Sequence, residues 1–351
     1  MAVGALFFRR PDQRRLTSAA TVQECKTQSS VLEKIRSILI AGPTATGKSE
    51  IALRLAGQLG GEIISVDSMQ VYRGLDIGTA KPPPAECARV PHHLIDICDL
   101  TESFDAAQFA NLAHRAVAEI QSRGHVPILC GGTGLYFKAF LDGLGDAPSA
   151  DAKLRAELEV MPLEKLLMEL REHDPAAYEK IDRKNPRRVI RAVEVIRQTG
   201  RPFSEQRADW DLEVGSSRRD DRTAQRAVPT KTNFFCFTRT PDDLRKRIDA
   251  RVDAMFTRGL VDETRELLKR GLEQNKTAMQ AIGYRQVVDY LRGEPRKLSG
   301  LAETIGLVKI RTRQFAKRQL TWFRARKNLE WIELKPNESL EEYARKVCET
   351  I

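Results

Sequence analysis

The sequence predicts an α/β fold in which a parallel sheet is flanked by helices. Three apolar segments of strand length, "SILIAG", "EIISVDS" and "HVPILCGG", lie between residues 37 and 132, and helical patterns separate them. Strands that alternate with helices imply right-handed crossovers and a sheet that is covered on both faces. The first strand ends in a glycine-rich loop that opens a helix, which is typical of a P-loop NTPase-like sheet.

The helices between these strands follow from apolar spacing. "KSEIALRLAGQLG" repeats apolar residues at helical intervals and closes on a glycine pair. The segment from Ser103 to Arg123 predicts a second amphipathic helix, with Ser103 as its N-terminal cap. "HHLIDI" predicts a short additional strand.

The pattern changes after Pro148. From residue 151 to about residue 199 nearly every segment predicts helix, with breaks at three prolines. "TNFFCFTRTP" then predicts another strand, so we expect the helical block to be an insertion after which the chain returns to the sheet. Helical patterns dominate from Asp242 onward.

Five segments follow from these changes. They are a disordered extension over 1–34, the first part of the core over 35–150, an inserted all-helical domain over 151–204, a polar connection over 205–232, and a second part of the core with a helical C-terminal region over 233–351. The first segment is rich in arginine, serine and threonine, and in composition it also resembles an organelle transit peptide. Its short length and the lack of an amphipathic helical pattern favour a disordered extension.

Composition narrows the possible functions. The net charge of +10 suits a polyanionic partner, although a basic protein without such a partner has the same charge. The six cysteines are scattered and form no C-x-x-C pair, which suits a reducing cytoplasm better than a disulfide framework or a zinc site. Because no apolar run approaches the roughly 20 residues of a membrane span, we expect no membrane partner.

The strongest motif is "GPTATGKS", from Gly42 to Ser49, which fits the phosphate-loop pattern G-x-x-x-x-G-K-[ST]. In such a loop successive N–H groups point inward, Lys48 reaches the outer phosphates and Ser49 ligates Mg²⁺. The motif predicts binding of a diphosphate or triphosphate, but it does not identify the compound.

A carboxylate follows the next strand, in "SVDSMQVYRGLDIGTAKP". The carboxyl end of a strand beside the phosphate loop faces the bound phosphate, so Asp67 is placed to accept a proton from an incoming nucleophile. The alternative is an aspartate that caps the following turn. Ser68 and Gln70 could hydrogen-bond the same acceptor molecule.

The third strand ends in Gly131, Gly132 and Thr133, where an ATPase often has a Mg²⁺-binding acid. The missing acid counts against ATP hydrolysis. Further along, Arg247 and Arg251 lie four residues apart on one helical face. Such an arginine could neutralise charge on a leaving group, or it could simply belong to a solvated basic face.

Two basic helices could bind a polyanion. "NPRRVIRAVEVIRQTGRP" contains Arg187, Arg188 and Arg191. "LVKIRTRQFAKRQLTWFRARK" contains seven basic residues, namely Lys309, Arg311, Arg313, Lys317, Arg318, Arg324 and Arg326. A run of this kind is also compatible with a solvated surface.

Taken together, these segments resemble a known family. "GPTATGKS", "SVDSMQVYRGLDIGTAKP", "CGGTGLYFKAFLDGL", "NPRRVIRAVEV", "IGYRQ" and "AKRQLTWFR" occur in the same order in bacterial tRNA dimethylallyltransferases. The resemblance extends from about Ser37 to Trp331. It implies transfer of a dimethylallyl group from dimethylallyl diphosphate to N6 of the adenine next to the anticodon, in tRNAs that read codons beginning with U.

The resemblance also implies roles for individual residues. The diphosphate would be held by Gly42, Pro43, Thr44, Ala45, Thr46, Gly47, Lys48 and Ser49, with the cofactor Mg²⁺ at Ser49. The catalytic residues would be Asp67, Thr133 and Arg251. The anticodon arm of tRNA would contact Asp67, Ser68, Met69, Gln70, Thr133, Arg155, Arg187, Arg188, Val189, Ile190, Arg191, Met279, Gln280, Ala281, Ile282, Gly283 and Tyr284. We expect a cytoplasmic monomer whose helical insertion moves against the core when tRNA binds.

Three alternatives share parts of this pattern. An adenylate isopentenyltransferase has the loop and the aspartate but acts on free AMP, ADP or ATP, and it has no need of a large basic helical region. A small-molecule kinase would place Asp67 beside an acceptor hydroxyl. A nucleic-acid-binding protein that uses a nucleotide only as a switch would not need an acid at that position.

Overall fold

The computed structural model describes residues 37–206, 233–293 and 300–351. The predicted extension over 1–34, and residues 207–232 of the predicted polar connection, lie outside this part of the chain. The described strands are β1 (Ile38–Ala41), β2 (Gly61–Val66), β3 (His92–His93), β4 (Val126–Gly131), β5 (Asn233–Thr238) and β6 (Glu330–Glu333).

The helices of the first half are α1 (Lys48–Leu59), α2 (Pro84–Arg89), α3 (Ala106–Ser122), α4 (Gly134–Asp142), α5 (Ala152–Glu159), α6 (Leu163–His173), α7 (Pro175–Lys180), α8 (Pro186–Thr199) and α9 (Phe203–Gln206). Those of the second half are α10 (Pro241–Thr257), α11 (Leu260–Lys269), α12 (Tyr284–Leu291), α13 (Leu301–Arg324) and α14 (Leu340–Thr350). Two 3₁₀ turns, Leu272–Gln274 and Ala278–Gln280, precede α12.

The six strands form one parallel sheet in the order β3-β2-β4-β1-β5-β6. Strands β1, β2 and β4 are buried along their whole length, as expected for a sheet with helices on both faces. Strand β5 pairs with β1, so the chain re-enters the sheet after the helical segments α5–α9. The predicted parallel sheet flanked by helices is therefore confirmed.

Apolar side chains cover both faces of the sheet. On one face, Phe109 of α3, Phe137 of α4 and Phe323 of α13 belong to the largest hydrophobic cluster. On the other face, Ile51 and Leu55 of α1 pack with apolar residues of α14. The sheet is therefore a rigid central layer, and the loops at the carboxyl ends of its strands are held in fixed positions. Among the described residues, no helix combines the length and apolar character that a membrane span requires.

Two local predictions were wrong. Strand β6 lies in the C-terminal region, where we expected helices to dominate and predicted no strand. It is four residues long and mostly exposed at the sheet edge, so it lacks the apolar pattern of a buried strand. The cap of α3 is Asp105 rather than Ser103, because its carboxylate accepts the N–H groups of Ala107 and Gln108 while the Gln108 side chain accepts the Asp105 N–H.

Helices α5–α9 have a hydrophobic cluster of their own, which includes Leu158, Leu170 and Val193. A buried carboxylate, Glu194 of α8, lies where this block leaves the core. It accepts the N–H of Asp151 at 3.0 Å and ion-pairs with Arg155 and Arg191. Glu194 therefore fixes the start of α5 against α8.

At the opposite end of the sheet from the glycine loop, the Glu62 side chain is only 4% exposed. Burial alone would raise the pKa of Glu62. Hydrogen bonds from Arg123, His93 and His125 outweigh that effect and lower the pKa from 4.5 to about 2. Because the folded-state pKa is depressed, this cluster stabilises the fold above pH 4.5, and the contribution is lost as the pH falls towards 2.

We predict that Glu62→Gln lowers the free energy of unfolding at pH 7 by roughly 2–3 kcal/mol, because the amide lacks the negative charge that Arg123, His93 and His125 stabilise. The difference from the wild type should shrink as the pH is lowered from 4.5 towards 2. Over this range Glu62 is protonated in the unfolded chain but still ionised in the folded protein, so the unfolded state gains on the folded one. Thermal or denaturant unfolding at several pH values measures both effects. Glu119→Gln, an exposed change near the same arginine, is the matched control and should have little effect. A difference that does not depend on pH would contradict this account.

Candidate functional site

The glycine loop has a backbone that only glycine permits at two points. Gly42 has a φ of 148°, and a Cβ there would lie 2.4 Å from the carbonyl oxygen of Phe237. Gly47 has a φ of 100° and directly precedes α1. No side chain caps the start of this helix, so the N–H groups of its first turn face the loop without an intrahelical acceptor. The loop is therefore built to bind an anion.

Lys48 lies half-buried at the base of this loop, and its Nζ donates to the carbonyl oxygen of Pro43 at 3.1 Å. Burial lowers the pKa of Lys48, and the nearby Arg251 guanidinium acts in the same direction. The Thr46 hydroxyl is buried and donates to the same Pro43 oxygen, so it braces the loop. Ser49 is exposed, and its hydroxyl lies within hydrogen-bond reach of the buried Cys130 thiol.

Asp67 follows β2 and faces this loop. Its Oδ1 accepts the N–H groups of Met69 at 2.8 Å and Gln70 at 3.3 Å, so the turn-capping interpretation is correct for one oxygen. Its Oδ2 has no hydrogen-bond partner among the described residues. Burial lowers the pKa of both Lys48 and Arg251. The Asp67 carboxylate is near enough to each of them to offset part of that lowering. The cap and the proposed base are thus two oxygens of one side chain.

Thr133 lies beside Asp67 because β2 and β4 are paired, with Val66 opposite Gly131. A Cβ on Gly131 would lie 2.1 Å from the Val66 oxygen, so the two strand ends are in direct contact. The Thr133 N–H donates to that same oxygen at 3.2 Å, and the Thr133 hydroxyl accepts the Ser68 N–H at 3.2 Å. The hydroxyl proton of Thr133 is left to donate to a ligand.

Helix α10 brings two arginines to the loop. The Arg247 Nε donates to the Ala45 carbonyl oxygen at 3.0 Å. Arg251 is half-buried, and burial lowers its pKa while Asp67 opposes that shift. The structure thus favours a role at the phosphate loop over a solvated basic face, and it brings Lys48, Asp67 and Arg251 into one electrostatically coupled group.

Sequence reasoning missed Gln319, a buried amide on α13. Its Oε1 accepts the Thr44 N–H at 2.9 Å, and its Nε2 donates to the Gly132 carbonyl oxygen at 2.9 Å. An uncharged glutamine within a basic, arginine-rich helix was the available signal, but its partners lie far away in the sequence.

The loop over residues 76–80 is held by side chains from several parts of the chain. Both N–H donors of the Gln70 amide are engaged, because they donate to the carbonyl oxygens of Thr79 and Ala80, while the amide oxygen accepts from Ser65. Lys81 is buried and ion-pairs with Asp76 and Asp96. Gln70 therefore supports the loop over residues 76–80 beside Asp67 and has no spare N–H donor for a ligand.

A second clamp holds the same loop from α11 and α12. Glu263 accepts the Ile77 N–H with both carboxylate oxygens, at 3.0 and 2.9 Å. The hydroxyl of Tyr284 donates to Glu263 at 2.5 Å and accepts the Gly78 N–H at 3.0 Å. Tyr284 is fully buried, so its side chain supports this loop and is not presented to solvent.

The other residues for which we expected RNA contacts fall into two groups. The side chains of Val189, Ile190 and Ala281 are buried, so they do not face solvent. Residues that are at least partly exposed are Ser68, Met69, Arg155, Arg187, Arg188, Arg191, Met279, Gln280 and Ile282. Gly283, whose φ is 99°, provides the backbone turn into α12.

Several of the basic side chains already have partners. Arg155 and Arg191 both bind the buried Glu194. The Arg187 Nη2 donates to the carbonyl oxygen of Lys276 at 3.0 Å, and Lys276 ion-pairs with Glu159 of α5. Arg187 and Lys276 therefore link the helical block to the turn before α12.

The basic side chains of α13 and of the residues just after it also fall into those with ion-pair partners and those without. Lys309 and Arg313 ion-pair with Asp253 and Asp249 of α10, and Arg326 pairs with Asp142. Lys317, Arg318 and Arg324 are exposed and have no ion-pair partner among the described residues. The helix is thus both a structural support and a source of free positive charge.

Within residues 37–206, 233–293 and 300–351 there is no group of three or more His, Cys, Asp or Glu side chains that could hold a metal. The accessible Ser49 hydroxyl beside an anion-binding loop fits Mg²⁺ only if phosphate oxygens and water complete its shell, which is the usual coordination of this ion.

Comparisons of the sequence and of the structure with known proteins point to the same family. The model of the IPP transferase family matches residues 70–326. A tRNA dimethylallyltransferase 1 of Citrifermentans bemidjiense is 43% identical over 301 residues, covering 86% of this chain and 93% of the relative. A tRNA dimethylallyltransferase of Geobacter sulfurreducens is 44% identical over 308 residues, covering 87% of this chain and 94% of the relative.

Two solved structures are similar. The full-length tRNA isopentenylpyrophosphate transferase of Bacillus halodurans is 39% identical, with a TM-score of 0.61 over 90% of this chain and 96% of that one. A eukaryotic dimethylallyltransferase, described as acting on tRNA, is 28% identical, with a TM-score of 0.66 over 85% of this chain and 73% of that one.

We predict that Tyr284→Phe destabilises the fold by about 1–3 kcal/mol, because it leaves the partly buried Gly78 N–H without its acceptor and removes a donor to Glu263. Thermal unfolding measures the effect. Tyr290→Phe on the same helix is the matched control, since Tyr290 is only half-buried and none of the described residues hydrogen-bonds its hydroxyl. Equal melting temperatures for the two variants would show that the Tyr284 hydroxyl does not hold the loop.

Proposed function

The chain belongs to the IPP transferase family, and on that premise we propose that it takes a dimethylallyl group from dimethylallyl diphosphate and attaches it to N6 of the adenine next to the anticodon. It is a prenyltransferase that modifies tRNA. The observation that carries the proposal is the position of Asp67 near Lys48 and Arg251 at a phosphate loop. One oxygen of its carboxylate has no hydrogen-bond partner within the part of the chain that the structure describes.

The donor site suits a diphosphate that leaves. The first turn of α1, Lys48 and Arg251 together provide N–H donors and two positive charges to linked phosphates. The end of β4 has glycines and Thr133 in place of the acid of an ATPase, so the loop is suited to hold phosphates without hydrolysing a nucleotide. The whole donor site lies within one chain, and a monomer is therefore sufficient.

In the proposed reaction the adenine N6 lone pair forms a bond to C1 of the dimethylallyl group. The C1–O bond breaks, and its electron pair goes to the diphosphate. The proton from N6 goes to Oδ2 of Asp67, while the Met69 and Gln70 N–H groups keep Oδ1 in place. An aromatic amine is a poor nucleophile, so a positioned base and a stabilised leaving group both contribute.

Charge develops on the leaving diphosphate, and Lys48 and Arg251 are placed to offset it. The Thr133 hydroxyl can donate a further hydrogen bond near the reacting atoms. The Ser49 hydroxyl would hold Mg²⁺ together with phosphate oxygens; when bound, the ion would neutralise part of the phosphate charge.

The tRNA must present its adenine to Asp67 out of the base stack. Bases in anticodon loops are partly unstacked already, so this costs a few kcal/mol at most. We propose that exposed cations bind the RNA backbone: Arg187 and Arg188 at the start of α8, with Lys317, Arg318 and Arg324 of α13. We assign Met279, Gln280 and Ile282, which are at least partly exposed, to the same surface.

The donor and acceptor can be tested together. The wild-type protein is incubated with Mg²⁺, labelled dimethylallyl diphosphate, and either unmodified tRNA or AMP. We expect label in tRNA alone, and loss of transfer when EDTA removes the metal. Label in AMP but not in tRNA would favour an adenylate isopentenyltransferase. ATP turnover without prenyl transfer would favour a kinase or a nucleotide switch.

We predict that Asp67→Asn reduces transfer by about 10²–10⁴-fold, because the amide can still accept the two N–H groups of the turn but cannot take a proton. Binding of tRNA, measured by gel shift, should be retained. Asp67→Ala should lose transfer to a similar extent and should also loosen the turn. Transfer near the wild-type rate in Asp67→Asn would show that Asp67 is not the base.

A further inference from the structure

One buried side chain connects the two halves of the proposed donor site. Gln319 is 7% exposed and lies in the second half of α13. Its amide joins the Thr44 N–H of the phosphate loop to the Gly132 carbonyl oxygen at the end of β4, with both hydrogen bonds at 2.9 Å. Glutamine alone among the uncharged side chains of this length offers an acceptor and a donor at once.

The fit around this amide is tight. A Cβ on Gly132 would lie 2.2 Å from Gln319 Nε2, so the amide rests directly on the Gly132 backbone. One turn later on α13, the ring of Trp322 covers Gly134 in the same way, with 2.2 Å to a Cβ placed there. Thr133 is therefore flanked by two glycines, each of which is covered by a side chain of α13.

The helix that carries Gln319 is itself anchored. Lys309 and Arg313 of α13 ion-pair with Asp253 and Asp249 at 2.7 Å, on the same helix α10 that carries Arg251. The ion-paired helices α10 and α13 therefore hold Arg251, the phosphate loop and the strand end before Thr133. Movement of Gln319 would change the gap between the donor's phosphates and the hydroxyl of Thr133.

We propose that Gln319 is a positioning residue for prenyl transfer. Its amide fixes the Thr44 end of the phosphate loop relative to Gly132 and Thr133. Because its oxygen accepts the Thr44 N–H, that N–H does not bind a phosphate oxygen of the donor. This proposal rests on the proposed function, because it requires the diphosphate to lie in the loop. Misplacement of reacting groups by about 1 Å can cost roughly 10²-fold in rate.

The test uses the full chain and the variant Gln319→Met, which keeps the side-chain length but removes both hydrogen bonds. With saturating tRNA and dimethylallyl diphosphate, we expect kcat to fall at least about 10-fold and the KM for tRNA to stay near the wild-type value. Gln314→Met is the matched control on the same helix, because Gln314 is exposed and bonds only to Arg311 among the described residues. It should stay within about twofold of wild type, as is usual for a surface change.

A double-mutant cycle separates positioning from stability. If Gln319 acts through Thr133, then Gln319→Met should cost much less in a Thr133→Ala background than in the wild type, whereas Gln314→Met should be additive with Thr133→Ala. If Gln319→Met does not fold, Gln319→Glu is measured in its place. It keeps an acceptor for Thr44 but has no donor for Gly132 when ionised, and we expect the same loss and the same non-additivity.

The outcomes are distinct. A lower melting temperature with unchanged kcat, or additive costs in the cycle, would show that Gln319 is only structural. A wild-type protein that transfers no dimethylallyl group would refute the proposed donor, and this proposal with it. Transfer by the wild type, with a selective loss of kcat in the Gln319 variant that disappears without Thr133, would support the proposal.

Discussion

The parallel pairing of β1, β2 and β4 is the constraint on which the site depends. In their register Ala41 and Val66 both lie opposite Gly131, so the three strands end level with one another. The phosphate loop, Asp67 and Thr133 follow these ends directly and therefore emerge side by side. The contact of Gly131 with Val66 leaves no room for a side chain, so this glycine follows from the closeness of the strands rather than from chain flexibility. Gly132 and Gly134 are crowded instead by Gln319 and Trp322 of α13.

Electrostatics explains why this edge needs a ligand. Lys48 and Arg251 are half-buried, desolvation lowers the pKa of each, and one carboxylate, Asp67, is close to both. Burying two cations against one anion is unfavourable unless another anion completes the site. A diphosphate supplies that charge. The same excess of positive charge that is unfavourable for the fold would stabilise the leaving group, so stability and activity oppose each other here.

Local patterns predicted the features that depend on local physics. The glycine loop, the buried strands and the position of Asp67 follow from spacing and from the rule that parallel strands end at one edge. Gln319 could not be predicted, because its partners Thr44 and Gly132 are brought to it only by the packing of α13. Tyr284 was expected at the RNA surface from its motif, but packing places its hydroxyl between Gly78 and Glu263. Strand β6 escaped notice because an exposed edge strand needs no apolar pattern.

Which arginines can bind RNA phosphates depends on the partners that they already have as well as on their number. Arg155 and Arg191 neutralise Glu194, which is fully buried; drawing both away to phosphates would leave that carboxylate unpaired, at a cost of about 3–5 kcal/mol. Arg188 carries no such cost, because it is exposed and its side chain has no partner among the described residues. Arg187 is intermediate, since it would have to release only the Lys276 carbonyl oxygen. That hydrogen bond and the Lys276–Glu159 ion pair both join the helical block to the turn before α12, so capture of a phosphate by Arg187 would weaken this link while the ion pair remains.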